Sequence, residues 1–412
     1  MNTNMLYGGF LILILVAGIG GFFAGQYFAP VETVPTLEGT IPIGVIYAEP
    51  VEGELYAQGE KYALDEVNAW LEDAGIPVQF ERWVEQAETS ATKCVERAEA
   101  LIERGVQIIV GMEWSSHVKA TKSVFDNQKV VCLSSGSQSA DMAIADDYIF
   151  RLPAPVPLYS PSHLAVAQDM GIEAAIMIYT DEPFGASGAE GITEAYEDAG
   201  IVVPYSLGVA PDTTDFTPEV GAIEVAYLDA VDTYGVGKVI LDIIAPDTIL
   251  SDMFAVITTY PELHTAPTFV FDAYATALLD KAAETAATMN VTGFWLKPPD
   301  DDRTQAYYDY IVATYGDEPY AFSYTAYDSI WIAALSVLAA GEYDGEKIKA
   351  VLPEVTSHYY GLSGWTKLND AGDRAFAIFG ISQVIETSPG DYEWEDIGIY
   401  DASTDTLTWT PP

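Results

Sequence analysis

The sequence predicts an α/β protein of two Rossmann-like lobes with parallel sheets, preceded by an N-terminal transmembrane helix. Three observations predict it. Apolar strands alternate with amphipathic helices over 41–135, and the same plan returns over 174–272. The 412 residues exceed what one ordinary core holds. Residues 5–25 form an apolar run without a single charge.

That run, Met5 to Gly25, is long enough to cross a bilayer as a helix. No basic residue precedes it and no lipobox cysteine follows, so an uncleaved anchor is expected, with a removed signal peptide as the alternative. The first basic residue after it is Lys61, which permits the body to lie outside the cytoplasm. Ala17, Gly21 and Gly25 make a small-residue stripe, a weak hint of helix pairing. Residues 1–30 are thus an anchor or signal segment and the proline-bearing stretch 31–40 a linker.

The body opens with a strand at 41–48 and a loop, PVEGELYAQG, that holds Tyr56. A helix over about 60–74 follows, its apolar residues at helical spacing, stopped by Gly75 and Pro77. Strand 78–84, helix 90–104, strand 106–111, a helix from Ser116 and strand 129–135 continue the series. The second array has strands near 174–179, 201–209, 236–244 and 267–272, with helices between them. Beyond it lie a helix near 323–340 and late strands around 375–385 of antiparallel pattern. In a two-lobed protein such a tail requires a return crossing. The expected division is 41–154 with 290–358 for the first lobe, and 155–289 with 359–412 for the second.

Composition excludes several functions. Sixty-two acidic residues face 17 basic ones, a net charge of -45, so nucleic acid is a poor partner, although generic solubility explains the same balance. The two cysteines, Cys94 and Cys132, are too few for a disulfide scaffold; one bridge and two separate thiols both remain open. His117, His163, His264 and His358 form no metal-binding spacing, and neither a GxSxG elbow nor a P-loop occurs. Asp300 to Asp302 reads as a solvated charge run, and Asn290 begins a lone glycosylation sequon. No enzyme, cofactor or metal is expected.

In parallel α/β sheets ligands sit outside the carboxyl ends of strands. Those loops hold Tyr56, then Ser115 and Ser116 in GMEWSS, then Gly136, Ser137 and Gln138 in SSGSQS. In the second half they hold Phe184 in TDEPFGASG, then Asp272 and Tyr274. A single serine there would be a helix cap. Two serine loops in one lobe instead suggest a carboxylate-binding floor of hydroxyls and free N–H groups. Asp272 suits a ligand ammonium, with a helix cap as its plain alternative.

Taken together, IPIGVIYA, VQIIVGMEWSS, VVCLSSGSQSADM, YIFRLPAP, IMIYTDEPFGASG, the Tyr327-Asp328 pair and above all YGLSGWTKLNDAGDRAFAIFGI carry a family likeness. The body resembles the type I periplasmic-binding-protein family, branched-chain amino-acid (Leu/Ile/Val) type, the solute receptors of ABC transporters. The resemblance implies three crossovers, hinge closure on ligand and docking onto ABC permease subunits. It implies that Ser115 with Gly136, Ser137 and Gln138 binds the amino-acid head group, with Gln138 standing in place of a usual threonine. Tyr56 would wall the side chain, Phe184 would close the pocket without the usual hydroxyl, and Asp272 would take the ammonium. The expected function is capture of a small polar solute, an amino acid first, for an ABC importer at the cell surface or in the periplasm. A urea or short-amide receptor and a ligand-sensing ectodomain are the alternatives.

Overall fold

The computed structural model describes residues 37–271 and 276–411. The expected N-terminal helix lies outside the described residues, among which no helix is long and apolar enough to cross a membrane.

The first lobe runs β1 (Gly39–Tyr47), α1 (Pro50–Ala74), β2 (Val78–Gln86), α2 (Ala91–Glu103), β3 (Ile108–Gly111), α3 (Ser115–Gln128), β4 (Val131–Ser134) and β5 (Ile149–Arg151). Its five strands are all parallel, in the order β2-β1-β3-β4-β5. Central strands β3 and β4 are buried along their whole length, as expected when helices cover both faces.

Helix α1 starts ten residues earlier than its apolar periodicity suggests. Glu49 caps it, accepting from the Val51 and Glu52 N–H groups, and Pro50 sits in the first turn, where a missing N–H costs nothing. Tyr56, expected in a loop, is therefore helical and buried.

The second lobe holds α4 (Val156–Asp169), β6 (Ala174–Thr180), α5 (Pro183–Asp198), β7 (Val202–Val209), α6 (Thr217–Tyr234), β8 (Val239–Ile244), α7 (Asp247–Ile257), β9 (Thr268–Phe271), α8 (Thr276–Thr288) and β10 (Thr292–Leu296). Strands β7, β6, β8, β9 and β10 pair in parallel in that order.

The chain then returns: α9 (Asp302–Tyr315), α10 (Ser323–Ala340) and α11 (Gly345–His358) supply residues to the core of the first lobe. A short hairpin, β11 (Tyr360–Gly361) and β12 (Gly364–Trp365), precedes β13 (Ile378–Ser388), β14 (Asp391–Asp401) and β15 (Thr406–Trp409). These last three extend the second sheet antiparallel from β10. The chain thus passes between lobes three times, after β5, after β10 and after α11.

One expected boundary changes, and the alternative left open for the cysteines is decided. Residues 292–296 belong to the second lobe rather than the first, because β10 bonds to β9 on one side and β13 on the other. Cys94 and Cys132 are separate buried thiols, and the Cys94 sulfur lies 3.8 Å from Met112 Sδ. In the Asp300–Asp302 run, Asp301 caps α9 by accepting from the Arg303 and Thr304 N–H groups.

Buried charge ties the crossings together. Arg151, at the end of β5, holds Asp373 through two bonds, Nε to Oδ1 at 2.6 Å and Nη2 to Oδ2 at 2.7 Å. Its Nη1 donates to the Ser139 carbonyl. The backbones of 151 and 372–374 are hydrogen-bonded as well. Arg374 donates to the Leu152 and Ser363 carbonyls, and Asp328 of α10 accepts from the Leu362 and Ser363 N–H groups at 2.8 and 2.9 Å.

Candidate functional site

The carboxyl ends of β1, β3 and β4 face one region of the first lobe, and their loops interlock there. Ser115 Oγ lies 3.0 Å from Ser137 Oγ and accepts from the Gln138 and Ser139 N–H groups at 3.3 and 3.2 Å. Ser134 Oγ accepts from the Ser137 N–H and donates to the Met112 carbonyl. The expected free N–H groups are thus already engaged: serine hydroxyls one loop away satisfy them. Ser116 sits half-buried on the first turn of α3.

Tyr56 reaches this loop from α1. A Cβ built on Gly136 would stand 2.6 Å from both the Tyr56 hydroxyl and the Glu113 carbonyl, so only glycine fits there. The Tyr56 ring stacks on Phe322, centroids 5.9 Å apart, and meets Tyr320 edge-on.

Gln138 has another task than the one expected. Its side-chain amide donates to the Ala154 carbonyl at 3.1 Å and the Tyr159 hydroxyl at 3.3 Å, and its own carbonyl accepts from the Val156 N–H. It fastens the serine loop to the first crossing and to α4.

Toward the second lobe, Ser139 Oγ donates to the Pro183 carbonyl at 2.9 Å and lies 3.2 Å from Ser187 Oγ, and Ser187 Oγ also accepts from the Ala140 N–H. Phe184, half-buried beside them, packs edge-on against Phe271 at the end of β9. Asp272 and Tyr274 lie outside the described residues.

Three carboxyls accompany these loops. Glu52 accepts from Trp114 Nε1 at 2.9 Å and from the Tyr320 hydroxyl at 3.3 Å. Glu113 is 3% exposed; one oxygen accepts from the Ala48 N–H and Oε1 has no partner. Asp247, first residue of α7 in the other lobe, feels the Glu52 charge. Desolvation, then Glu52, pushes Asp247 up to about 6 although solvent reaches it. Glu113 is held well above the usual carboxylate range by burial and by Glu52, and Glu52 is raised by burial. Glu52, Glu113 and Trp114 stand inside loops singled out from sequence, but the residues themselves were missed. Their signal is position at a strand's carboxyl end, the same criterion that selected Ser115.

These shifts fix a sign. The raised carboxyls bind protons more tightly folded than unfolded, so stability rises as pH falls through their folded values. Carboxyls lowered by pairing, such as Asp141 and Asp301, act only below their unfolded values, about pH 4. His117, whose pKa burial lowers, acts the other way below about pH 6.5. The raised carboxyls Glu113, Glu52 and Asp247 outnumber it, so the melting temperature should increase from pH 7.5 to about 5.5 at constant ionic strength. A decrease on scanning fluorimetry over that window would contradict the assignment.

The family model described as periplasmic binding protein matches residues 40–383. An uncharacterized protein of Methanocaldococcus jannaschii, MJ1266, is 23% identical over 419 residues, covering 95% of this chain and 98% of its own. An ABC transporter substrate-binding protein from Desulfitobacterium hafniense, solved with Leu, has a TM-score of 0.67 at 18% identity and covers 87% of this chain and 100% of its own. A solute-binding protein of an ABC transporter from Rhodopseudomonas palustris, solved with p-hydroxybenzoic acid, gives 0.70 at 15% identity, covering 88% and 98%.

Proposed function

The chain belongs to the periplasmic binding protein family, and from that premise we propose that it captures a small polar solute of the amino-acid class between its lobes and delivers it to an ABC importer. Family membership implies an extracytoplasmic location; in this proposal the N-terminal apolar run tethers the body to the membrane. The family is one of binding proteins, and the reading assigns no chemistry to any residue.

One observation carries the reading. Ser115, the 136–138 loop and Tyr56 converge at strand ends of one lobe, and Ser139 beside them bonds directly to Pro183 and Ser187 of the other. Phe184 stands at that junction. In this proposal Asp272 and Tyr274, at the carboxyl end of β9, complete the second wall. The Leu-bound relative supports the amino-acid class, while the p-hydroxybenzoic acid complex marks how far ligands diverge on this fold.

The test is scanning fluorimetry of the full-length protein with single amino acids, urea and short amides. A true ligand at 100 times its Kd adds about 2.7 kcal/mol of stability and raises the melting point. Gly136→Ala, which forces Tyr56 or the Glu113 backbone to move, should weaken that ligand by about tenfold or more while the protein still melts cooperatively. No shift with any compound in the panel would defeat the proposal.

A further inference from the structure

We infer that Asn290 is the acceptor of an N-linked glycan, attached while the second sheet is still incomplete. The inference draws on the extracytoplasmic location that the family implies and not on the cleft, so it stands apart from the binding reading.

The sequence offers one acceptor. Of its six asparagines, only Asn290 has a hydroxyl residue two positions on with no proline between, as Asn290-Val291-Thr292. The fold puts that residue where a bulky, hydrated group can stand. Asn290 is exposed in the turn between α8 and β10, and its side-chain amide makes no hydrogen bond among the described residues.

The backbone alone does not demand an asparagine there. Asn290 sits at φ 48°, a left-handed turn in which its N–H donates to the Ala287 carbonyl at 3.1 Å. Helices α1, α9 and α10 end on glycine in the same conformation, and α3 ends on Lys129. Other residues therefore serve such a turn, and the carboxamide is what Asn290 adds.

The turn also lies at the amino end of β10. Strands β6, β8, β9 and β10 are parallel, so their carboxyl ends, which carry the loops of the candidate site, are at the opposite end of the sheet. A sugar on Asn290 leaves the cleft clear.

Thr292 sets the order of events. It is 2% exposed, its Oγ1 donating to the Asn290 carbonyl at 3.0 Å and accepting from Gln383 Nε2 at 3.2 Å. Strand β10 is held between β9 and β13. A transferase that reads Asn290 and Thr292 together needs this segment free, so it acts before β13 docks. Gln383 is made 91 residues after Thr292, and the three helices between them go to the core of the other lobe, which supplies the interval. In the transfer, Asn290 Nδ2 bonds to the anomeric carbon of a sugar carried on a polyprenyl phosphate or pyrophosphate. The bond from that carbon to the phosphate oxygen breaks, the phosphate leaves with the electron pair, and the amide gives one proton to a base.

The experiment is mass spectrometry of the full-length protein purified from the organism that makes it. Trypsin releases peptide 282–303, because Lys297 precedes a proline, and Asn290 is the only asparagine in it. That peptide should carry added mass in whole sugar residues, placed on Asn290 by fragmentation. Made in the same organism, Asn290→Gln should lose the added mass and Thr292→Ser, which keeps the motif, should retain it. An unmodified peptide from the native protein, or added mass that survives in Asn290→Gln, would overturn the inference. The order is tested with native membranes and their lipid-linked sugar: the unstructured peptide 286–296 should accept sugar and the folded, unmodified protein should not. Equal transfer to both would overturn the order.

Discussion

Asp373→Ala should lower the stability of the folded protein by about 3–5 kcal/mol, because it strands a buried guanidinium. Arg151 and Asp373 are each about 1% exposed or less. Their two bonds at 2.6 and 2.7 Å join residues 222 apart in the chain. The third donor of Arg151 is used on the Ser139 carbonyl, so the arginine cannot swing out without breaking that bond as well. Replacing both partners with apolar residues of similar size, Arg151→Met with Asp373→Leu, should recover most of the loss, since no uncompensated charge remains. Urea unfolding of the two variants beside the parent separates these cases. A single variant within about 1 kcal/mol of the parent would show that solvent reaches Arg151.

Asp328→Ala should cost about 4 kcal/mol by a different route. The Asp328 carboxylate, fully buried, accepts from the Leu362 and Ser363 N–H groups, from Ser363 Oγ at 2.5 Å and from the Tyr359 hydroxyl at 3.2 Å. Removing it leaves backbone donors with no water to replace it. Gly361 is bound to this arrangement, as a Cβ there would stand 1.9 Å from Asp328 Oδ1. Asp328→Asn keeps one acceptor oxygen and should lose about half as much. Faster amide exchange at 359–366 in the alanine variant would localise the effect to the hairpin; unchanged exchange there would refute it.

These two sites explain why the stretch YGLSGWTKLNDAGDRAF stood out in the sequence. Gly361 leaves room for Asp328, Asn369 Oδ1 accepts from the Ala371 and Asp373 N–H groups, and Gly372, at φ 78°, sits where an added Cβ would stand 2.7 Å from the Ile149 carbonyl. Its most legible motif therefore marks the junction of the lobes rather than the ligand. The strands were legible too, as buried parallel strands are continuous apolar runs, and α10 carries its end in Gly341, a left-handed cap. Helices α4 and α11 were not, because Pro161 and Pro353 inside them argue locally against a helix that burial imposes. Gln138 could not be placed from sequence, since its partners Ala154 and Tyr159 belong to the crossing and to the other lobe. Glu52 and Glu113 were hidden by number: among 62 acids, two more read as solubility.

The interleaved order of the lobes also sets a timetable. Ile43, Val110 and Leu133 share a core with Ile330, Leu335 and Leu352, which are made about two to three hundred residues later. Until those helices arrive, that core lacks part of its lining, although Val67 and Leu71 of α1 are already made, and contacts of such long range form slowly. A ribosome must synthesise nearly the whole second half before the first can finish. Such postponement leaves unfinished hydrophobic strands uncovered while the rest of the chain is being made.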